Sequence, residues 1–153
     1  HRILIILKGV VMDEKKLMEK YDKLNRKMQR YFARFFSDSQ LTCIQGLVLH
    51  YIIVESERRD VFPKDLEEFL GIKGSSVTSL INNLEQGGYL RRESLESDGR
   101  YKKLMLTEKT REMQEDILRR VYDYMASMFA GISEENLKIF ESVIMQMTKN
   151  ADK

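Results

Sequence analysis

Uncharged polar side chains are concentrated in the segment SSVTSLINNLEQ, residues 75–86, whose first ten residues include no acid. Hydroxyl and carboxamide groups can hydrogen-bond base edges in the DNA major groove, and a surface without acids does not repel phosphate. Apolar residues recur at Val77, Leu80, Ile81 and Leu84 with helical spacing. The segment is therefore predicted to be an amphipathic helix that contacts DNA. The predicted contact residues are Ser75, Ser76, Thr78, Ser79, Asn82 and Asn83.

Residue type predicts different roles for the serines at the start of this helix and for the polar residues after them. Ser75 or Ser76 is predicted to cap its N-terminus, where backbone N–H groups and the helix dipole favour a phosphate. Ser79, Asn82 and Asn83 are predicted to read bases, since Asn can bond adenine through two atoms. The alternative is an ordinary surface helix that Ser and Asn only solvate.

A basic ribbon is predicted to follow the helix. Residues 97–107 read SDGRYKKLMLT, in which Asp98-Gly99 is a strong signal for a β-hairpin turn. An arginine at such a tip, Arg100, suits a narrow minor groove. Further predicted cationic contacts to phosphate are Arg91, Arg92, Lys102 and Lys103. The alternative is a solvated hairpin with ordinary surface charge.

Composition sets limits on the protein that carries these segments. The 153 residues are 42% hydrophobic and 33% charged, with one proline and eight glycines, which favours a mainly helical fold. The net charge of +2 is too small to indicate a nucleic-acid partner by itself. A single cysteine excludes an internal disulfide framework and fits a reducing cytoplasm. No segment is predicted to cross a membrane.

The order of elements predicts the architecture. Residues 1–12 are treated as an uncertain leader or upstream extension. Residues 13–37 and 108–150 are predicted to form a helical dimerisation region. Residues 38–107 are predicted to form a winged helix-turn-helix, with three helices and a β-hairpin wing.

Local signals mark most of the helix ends. Thr42 is predicted to begin a buried helix and Pro63 the next one, which Gly71 ends. Thr107 is predicted to begin one helix running to Gly131, and Ser133 the last helix. Apolar residues predicted to face inward on the helix after Thr107 are Met113, Ile117, Val121, Tyr124, Met125 and Met128.

The first and last helices each carry an apolar stripe. Intervals of four and three residues in the first helix are typical of a seam that packs on another helix. Taken alone, this seam fits a dimer interface and packing within one subunit equally well. The residues assigned to the interface are Leu17, Tyr21, Leu24 and Met28 in the first helix and Leu137, Phe140, Ile144 and Met147 in the last.

These motifs together resemble the MarR (multiple-antibiotic-resistance regulator) family. The similarity lies in hydroxyl residues that open the recognition helix, in Leu84-Glu85 with Gly88, in Asp98 with Arg100, and in Leu106-Thr107. It implies a homodimer that binds a pseudo-palindromic operator, usually as a repressor released by a small ligand or an oxidant. Two residues depart from the family pattern. Gly99 stands where many members carry an arginine, and Thr110 where a glycine is frequent, which is expected to matter little.

Several residue types suggest other chemistry. Tyr31, Phe35, His50 and Tyr51 are the candidates for a pocket that binds a small aromatic or amphipathic effector, although core packing is the more frequent role of such residues. Cys43 is interpreted as a packed structural thiol in preference to a redox sensor. No metal site, cofactor or catalytic constellation is predicted, so an enzyme is not expected.

The sequence therefore predicts a sequence-specific, DNA-binding transcriptional regulator in the cytoplasm. Its expected form is a ligand-responsive repressor that acts as a homodimer on a pseudo-palindromic operator. One alternative is a winged helix that binds proteins without sequence-specific DNA binding. Another is an activator of the same fold, which would share every residue named above.

Overall fold

The computed structural model describes residues 5–7, 10–95 and 101–152 of the chain. The chain divides into two compact units, His1–Val121 and Tyr122–Lys153. Helices predominate, as predicted. The elements in chain order are β1 (Ile5–Leu7), β2 (Val10–Met12), α1 (Glu14–Arg34), α2 (Cys43–Ser56), α3 (Pro63–Leu70), α4 (Gly74–Gln86), β3 (Leu90–Ser94), β4 (Lys102–Leu106), α5 (Glu108–Glu112), α6 (Gln114–Phe129) and α7 (Glu134–Ala151).

The two N-terminal strands form a short antiparallel hairpin, in which Ile5 lies opposite Met12. Asp13 then caps α1, and its carboxylate accepts a hydrogen bond from the Lys16 N–H (3.3 Å). No side chain of α1 is buried. The predicted long helix is therefore present, and most of its surface is open to solvent.

Helix α2 is the centre of the first unit, as its apolar composition predicts. Thr42 and Gln45 form a reciprocal capping box at its start, which confirms the predicted boundary. The side chains of Leu49 and Ile52 are fully buried. Gly46 allows a close approach, because a Cβ at this position would lie 2.1 Å from Cε1 of Phe36.

The helix-turn-helix consists of α3, a short turn and α4. Pro63 is the first residue of α3, and Gly71 ends it in the left-handed conformation (φ 62°), both as predicted. The predicted serine cap of α4 is wrong. Lys73 is the extended N-cap residue and its carbonyl accepts from the Ser76 N–H (2.9 Å), so the serines lie inside the first turn.

The wing is an antiparallel pair, β3 and β4, in which Leu90 lies opposite Leu106. The other edge of β4 is also used, because the Leu104 N–H donates to the Val61 carbonyl (2.8 Å) just before α3. This bond ties the wing to the helix-turn-helix. The predicted Asp98-Gly99 turn lies outside the described residues.

The single helix predicted between Thr107 and Gly131 is two helices in the structure. Thr107 is the N-cap of α5, as expected, but α5 ends at Glu112 and α6 begins at Gln114. Between them the Met113 N–H donates to carbonyls two and three residues back, in place of the four-residue spacing of an α-helix. Of the predicted inward residues, Ile117 and Val121 are buried, whereas Met125 is exposed.

The second unit contains the end of α6 and all of α7. Gly131 has a positive φ of 77° in the connection. The Ser133 hydroxyl accepts from the Asn136 N–H (3.3 Å) and caps α7, which confirms both predicted boundary signals. No residue of α7 is buried.

Candidate nucleic-acid interface

The outward face of α4 is uncharged, polar and accessible. Val77, Ile81 and Leu84 are buried against the core, and this fixes which side of the helix faces solvent. The six predicted contact residues all lie on the exposed side: Ser75, Ser76, Thr78, Ser79, Asn82 and Asn83. Helix α4 can therefore present hydroxyl and carboxamide groups to a ligand as a single surface.

Hydrogen bonds within α4 limit what two of its serines can offer. The Ser79 hydroxyl donates to the Ser75 carbonyl (3.1 Å), so Ser79 presents acceptor lone pairs outward. The Ser76 backbone N–H already donates to the Lys73 carbonyl. Of the two predicted N-terminal serines, Ser75 is the one whose backbone N–H has no intramolecular acceptor among the described residues. A phosphate contact at this helix end stays a prediction.

Arg92 on β3 joins the wing to α4 through three bonds. Its guanidinium forms an ion pair with Glu85, and its second amino group, Nη2, donates to Oδ1 of Asn82 (2.9 Å). The backbone N–H of Arg92 also donates to Glu85 (2.9 Å). Glu85 is the only acid in α4, so this pair neutralises the one negative charge of the helix.

The other basic residues of the wing differ in how freely their charge can be used. Arg91 forms an ion pair with Glu93 (2.9 Å) and is largely exposed. Lys103 pairs with Asp60 (3.3 Å), and only 22% of its side chain is exposed. Lys102 is exposed and has no acidic partner in the described part of the chain. Arg100 lies outside the described residues.

A groove brings part of the predicted surface together. Thr78 of α4, Arg92 of β3 and Lys102 of β4 line it with Pro63 at the start of α3. Its volume is about 340 Å³. The structure thus places the polar helix face and the free lysine of the wing side by side within the first unit.

Sequence patterns did not predict the contacts that hold α5 against the residues before β3. The Thr107 hydroxyl donates to the Gly88 carbonyl (2.7 Å), and that of Thr110 donates to the Tyr89 carbonyl (2.6 Å). Lys109 lies over the Tyr89 ring, with Nζ 3.9 Å from its centroid. The sequence predicts Thr107 only as a helix start and Thr110 only as an unimportant departure from the MarR-family pattern. The hydroxyl spacing was the available signal, but its acceptors lie about 20 residues earlier in the chain.

The residues considered for an effector pocket form two aromatic contacts. Tyr31 and Phe35 meet edge to face, with ring centroids 5.3 Å apart. Tyr51 stacks on Phe69 of α3 (4.2 Å). These contacts fit the packing alternative as well as they fit a pocket wall, so the effector assignment stays a prediction.

His50 and Cys43 are the remaining chemically distinctive residues that the sequence singles out. His50 is half-buried, and burial lowers the pKa of its imidazole. Cys43 is a free, half-buried thiol packed against the core. Among the residues that the structure describes, no three His, Cys, Asp or Glu side chains are grouped to hold a metal ion.

Apolar side chains are exposed on α1 and, separately, on α7. In α1, Leu17, Tyr21 and Leu24 are exposed, and Met28 is half-buried. In α7, Phe140, Ile144 and Met147 are exposed, and Leu137 is half-buried. No helix in the described part of the chain has both the length and the apolar character that a membrane crossing requires.

Comparisons with known proteins agree with this geometry. The family model "MarR family" matches residues 39–100, which include the helix-turn-helix and β3. The HTH-type transcriptional regulator PapX of Escherichia coli is 22% identical over 127 residues, covering 83% of this chain and 77% of PapX. The transcription regulator MarR of Oenococcus oeni PSU-1 has a TM-score of 0.72 and 26% identity, covering 90% of this chain and 99% of that one.

A third similar structure is the MepR–DNA complex of S. aureus, with a TM-score of 0.78. It is 19% identical and covers 87% of this chain and 96% of that one, so this match shows the fold alone. The observed helix-turn-helix and wing, the match to the family model and the similar regulators support one conclusion. Residues 39–100 match the MarR family, and over most of its length the chain is similar to winged helix-turn-helix transcriptional regulators.

Proposed function

We propose that this protein is a sequence-specific, DNA-binding transcriptional repressor that acts in the cytoplasm as a homodimer and responds to a small ligand. The observation that carries the proposal is the exposed face of α4. It presents uncharged donors and acceptors, and Arg92 neutralises its single acid, Glu85. Lys102 lies on the same groove as Thr78, next to this face. A neutral polar helix beside a cationic strand suits the edges of bases between two phosphate backbones.

Exposed apolar side chains support the homodimer. Leu24 of α1 is 44% exposed and Phe140 of α7 is 48% exposed. Apolar groups in such numbers on two helices favour association, because burial removes their surface from water. A second copy of the chain is the partner that a pseudo-palindromic operator requires.

The similarity to the MarR family supports repression and ligand response, and the ligand is expected to be small and aromatic or amphipathic. Tyr31, Phe35, His50 and Tyr51 are the proposed contacts. Ligand binding would release the protein from its operator. A repressor and an activator of this fold share these residues, so the position of the operator relative to the promoter distinguishes them.

Selection of bound duplexes from a random pool by the full-length protein tests the DNA-binding proposal. We expect an enriched motif with two inverted half-sites whose centres are about one helical turn, 10 to 10.5 base pairs, apart. Enrichment of one unrepeated half-site would contradict the homodimer. Binding without any sequence preference, lost between about 50 and 200 mM salt, would favour the protein-interaction alternative.

Transcription in vitro tests the sign of regulation. A promoter fused to the selected motif should give less transcript as the protein is added, and the footprint should overlap the polymerase site. More transcript under the same conditions would show an activator.

A further inference from the structure

The carboxamide of Asn82 has a fixed orientation. Nη2 of Arg92 lies 2.9 Å from Oδ1 of Asn82. A guanidinium carries donors only, so the Asn82 atom that faces it must be the oxygen. The amide nitrogen, with two N–H donors, is left at the other end of the group. The described residues supply no acceptor for these donors.

Arg92 is itself held from its opposite side. Glu85 pairs with the guanidinium and also accepts from the backbone N–H of Arg92 (2.9 Å). The side chains of Arg92 and Glu85 are only 24% and 28% exposed. One carboxylate thus fixes both the strand and the side chain that orients Asn82, and the cationic group of Arg92 is committed to partners inside the protein.

We propose that Asn82 binds DNA only as a hydrogen-bond donor, and that Arg92 and Glu85 are positioning residues that set this polarity. The inference rests on the proposed DNA-binding function and refines the roles expected from the sequence. A two-atom contact to adenine needs the amide oxygen as acceptor and the nitrogen as donor. Because the oxygen of Asn82 is turned towards Arg92, its partner is an acceptor, either on a base edge (purine N7, guanine O6 or thymine O4) or on a phosphate.

The two-atom contact to adenine then falls to Asn83. Its side chain is exposed on the same helix and has no hydrogen bond to any described residue, so both ends of its carboxamide are available. Adjacent asparagines in α4 consequently have different selectivities, and the difference comes from a strand residue ten positions after Asn82.

Asn82→Asp is the direct test, because the two side chains have nearly the same shape. An aspartate still accepts from Arg92 but replaces the outward donors with an acceptor. We expect the full-length variant to bind the wild-type-selected duplex about tenfold more weakly or worse, the value of one hydrogen bond to a charged or strongly polar group. Gln86→Glu, which adds the same charge to the same helix, is the matched control and should lose less than about threefold.

Repeating the selection with Asn82→Asp identifies the acceptor. If it is on a base, preference at one position of each half-site should change to a base that offers an amino donor. If it is a phosphate, the motif should stay the same while affinity falls. Equal affinities of Asn82→Asp and Gln86→Glu would overturn the inference, whereas failure of the wild type to enrich any motif would instead overturn the proposed function.

A double-mutant cycle tests the positioning role of Arg92. Arg92→Met and Asn82→Ala should change preference at the same base position of the motif, or weaken the same phosphate contact. The double variant should bind DNA no more weakly than the weaker-binding single variant. The salt dependence of Arg92→Met should match that of the wild type. Additive losses, with a log–log salt slope shallower by about 0.9, would show that Arg92 contacts phosphate itself. If Arg92→Met fails to fold, Arg92→Gln provides the same cycle, because its carboxamide offers both an acceptor and donors and so no longer fixes the orientation of Asn82.

Discussion

The hydroxyl of Thr110 donates a 2.6 Å hydrogen bond to the backbone carbonyl of Tyr89, and both residues are buried. This bond joins the first helix after the wing to the residue that leads into β3. Thr110 is also the only buried polar residue in the described part of the chain. A polar group in such a place is stable because its hydrogen bond is satisfied.

Thr110→Val should therefore destabilise the protein. The substitution keeps the shape of the side chain and removes the donor, while Thr107 still donates to the Tyr89 carbonyl (3.1 Å). We expect a loss of about 1 kcal/mol in the free energy of unfolding, measured by urea denaturation. Thr148→Val is a matched control on the exposed surface of α7, where the hydroxyl donates to the Ile144 carbonyl. Equal effects of the two substitutions would contradict the importance of burial.

Gly46→Ala should destabilise the core through overpacking. The new Cβ would lie 2.1 Å from an atom of the buried Phe36 ring, so the ring or α2 must move. We expect a cost of about 1 to 3 kcal/mol in urea denaturation. Gly74→Ala is the control, because its Cβ would meet only the flexible carboxylate of Glu67. A Gly46 variant as stable as the Gly74 variant would show that the ring has room to move.

The ion pairs of Arg120 should make stability depend on acid pH. Arg120 hydrogen-bonds both Asp38 and Asp116, and these bonds lower the pKa of each carboxyl in the folded state. A lowered folded-state pKa contributes stability that is present above the ordinary aspartate value of about 3.9 and is lost as the pH falls through the folded-state values. Arg120→Met removes the largest cause of both pKa shifts.

Urea midpoints measured between pH 7 and pH 2.5 should therefore fall more steeply for the wild type than for Arg120→Met. The two proteins should approach each other in stability at the acid end. Parallel curves over the whole range would contradict the role assigned to Arg120.

Two neighbouring lysines of β4 should contribute unequally to DNA binding. Lys102 is exposed and has no acidic partner among the described residues, whereas Lys103 pairs with Asp60. Lys102→Ala should weaken binding of a selected duplex and make the log–log salt slope shallower by about 0.9, the value of one phosphate contact. Lys103→Ala is the matched control, with a smaller change expected. Titrations at several salt concentrations measure both, and a larger change for Lys103 would reverse the assignment.

Dimer formation should be sensitive to charge on the exposed apolar faces. Leu24→Lys or Phe140→Lys is expected to shift the protein to monomer in sedimentation velocity runs. The fold of the subunit should be kept, since both side chains are about half exposed. Ile44→Lys, at an exposed apolar position of α2, is the control and should stay dimeric. Loss of the dimer in all three variants would point to general destabilisation.

Local sequence signals predicted most of the element boundaries. Thr42 with Gln45, Pro63, Gly71 and Ser133 act on atoms within four residues of themselves, so their effect can be read without knowing the rest of the fold. The serine cap of α4 failed because Lys73 supplies an extended backbone and a carbonyl acceptor without a capping side chain.

Relationships between distant residues were not predictable from the same patterns. Lys103 meets Asp60, 43 positions earlier, and Arg92 meets Asn82 across a helix and a strand. Side-chain type indicated that both cations were suited to phosphate, but only the packing of the wing on the helix-turn-helix determines whether their charge is free. The break between α5 and α6 at Met113 was also not predictable from local patterns. The bonds of Thr107 and Thr110 to residues before β3 fix where α5 lies, and these partners are distant in sequence.

The bond from the Leu104 N–H to the Val61 carbonyl also bears on solubility at high concentration. A strand whose outer amides are unsatisfied is a template for another chain, and this is how sheet proteins begin to aggregate. In β4 the central amide on that side is already occupied, so an incoming strand would have to break an existing bond before it could pair. The acceptor is the backbone carbonyl of Val61, so a change of this side chain does not by itself remove the protection.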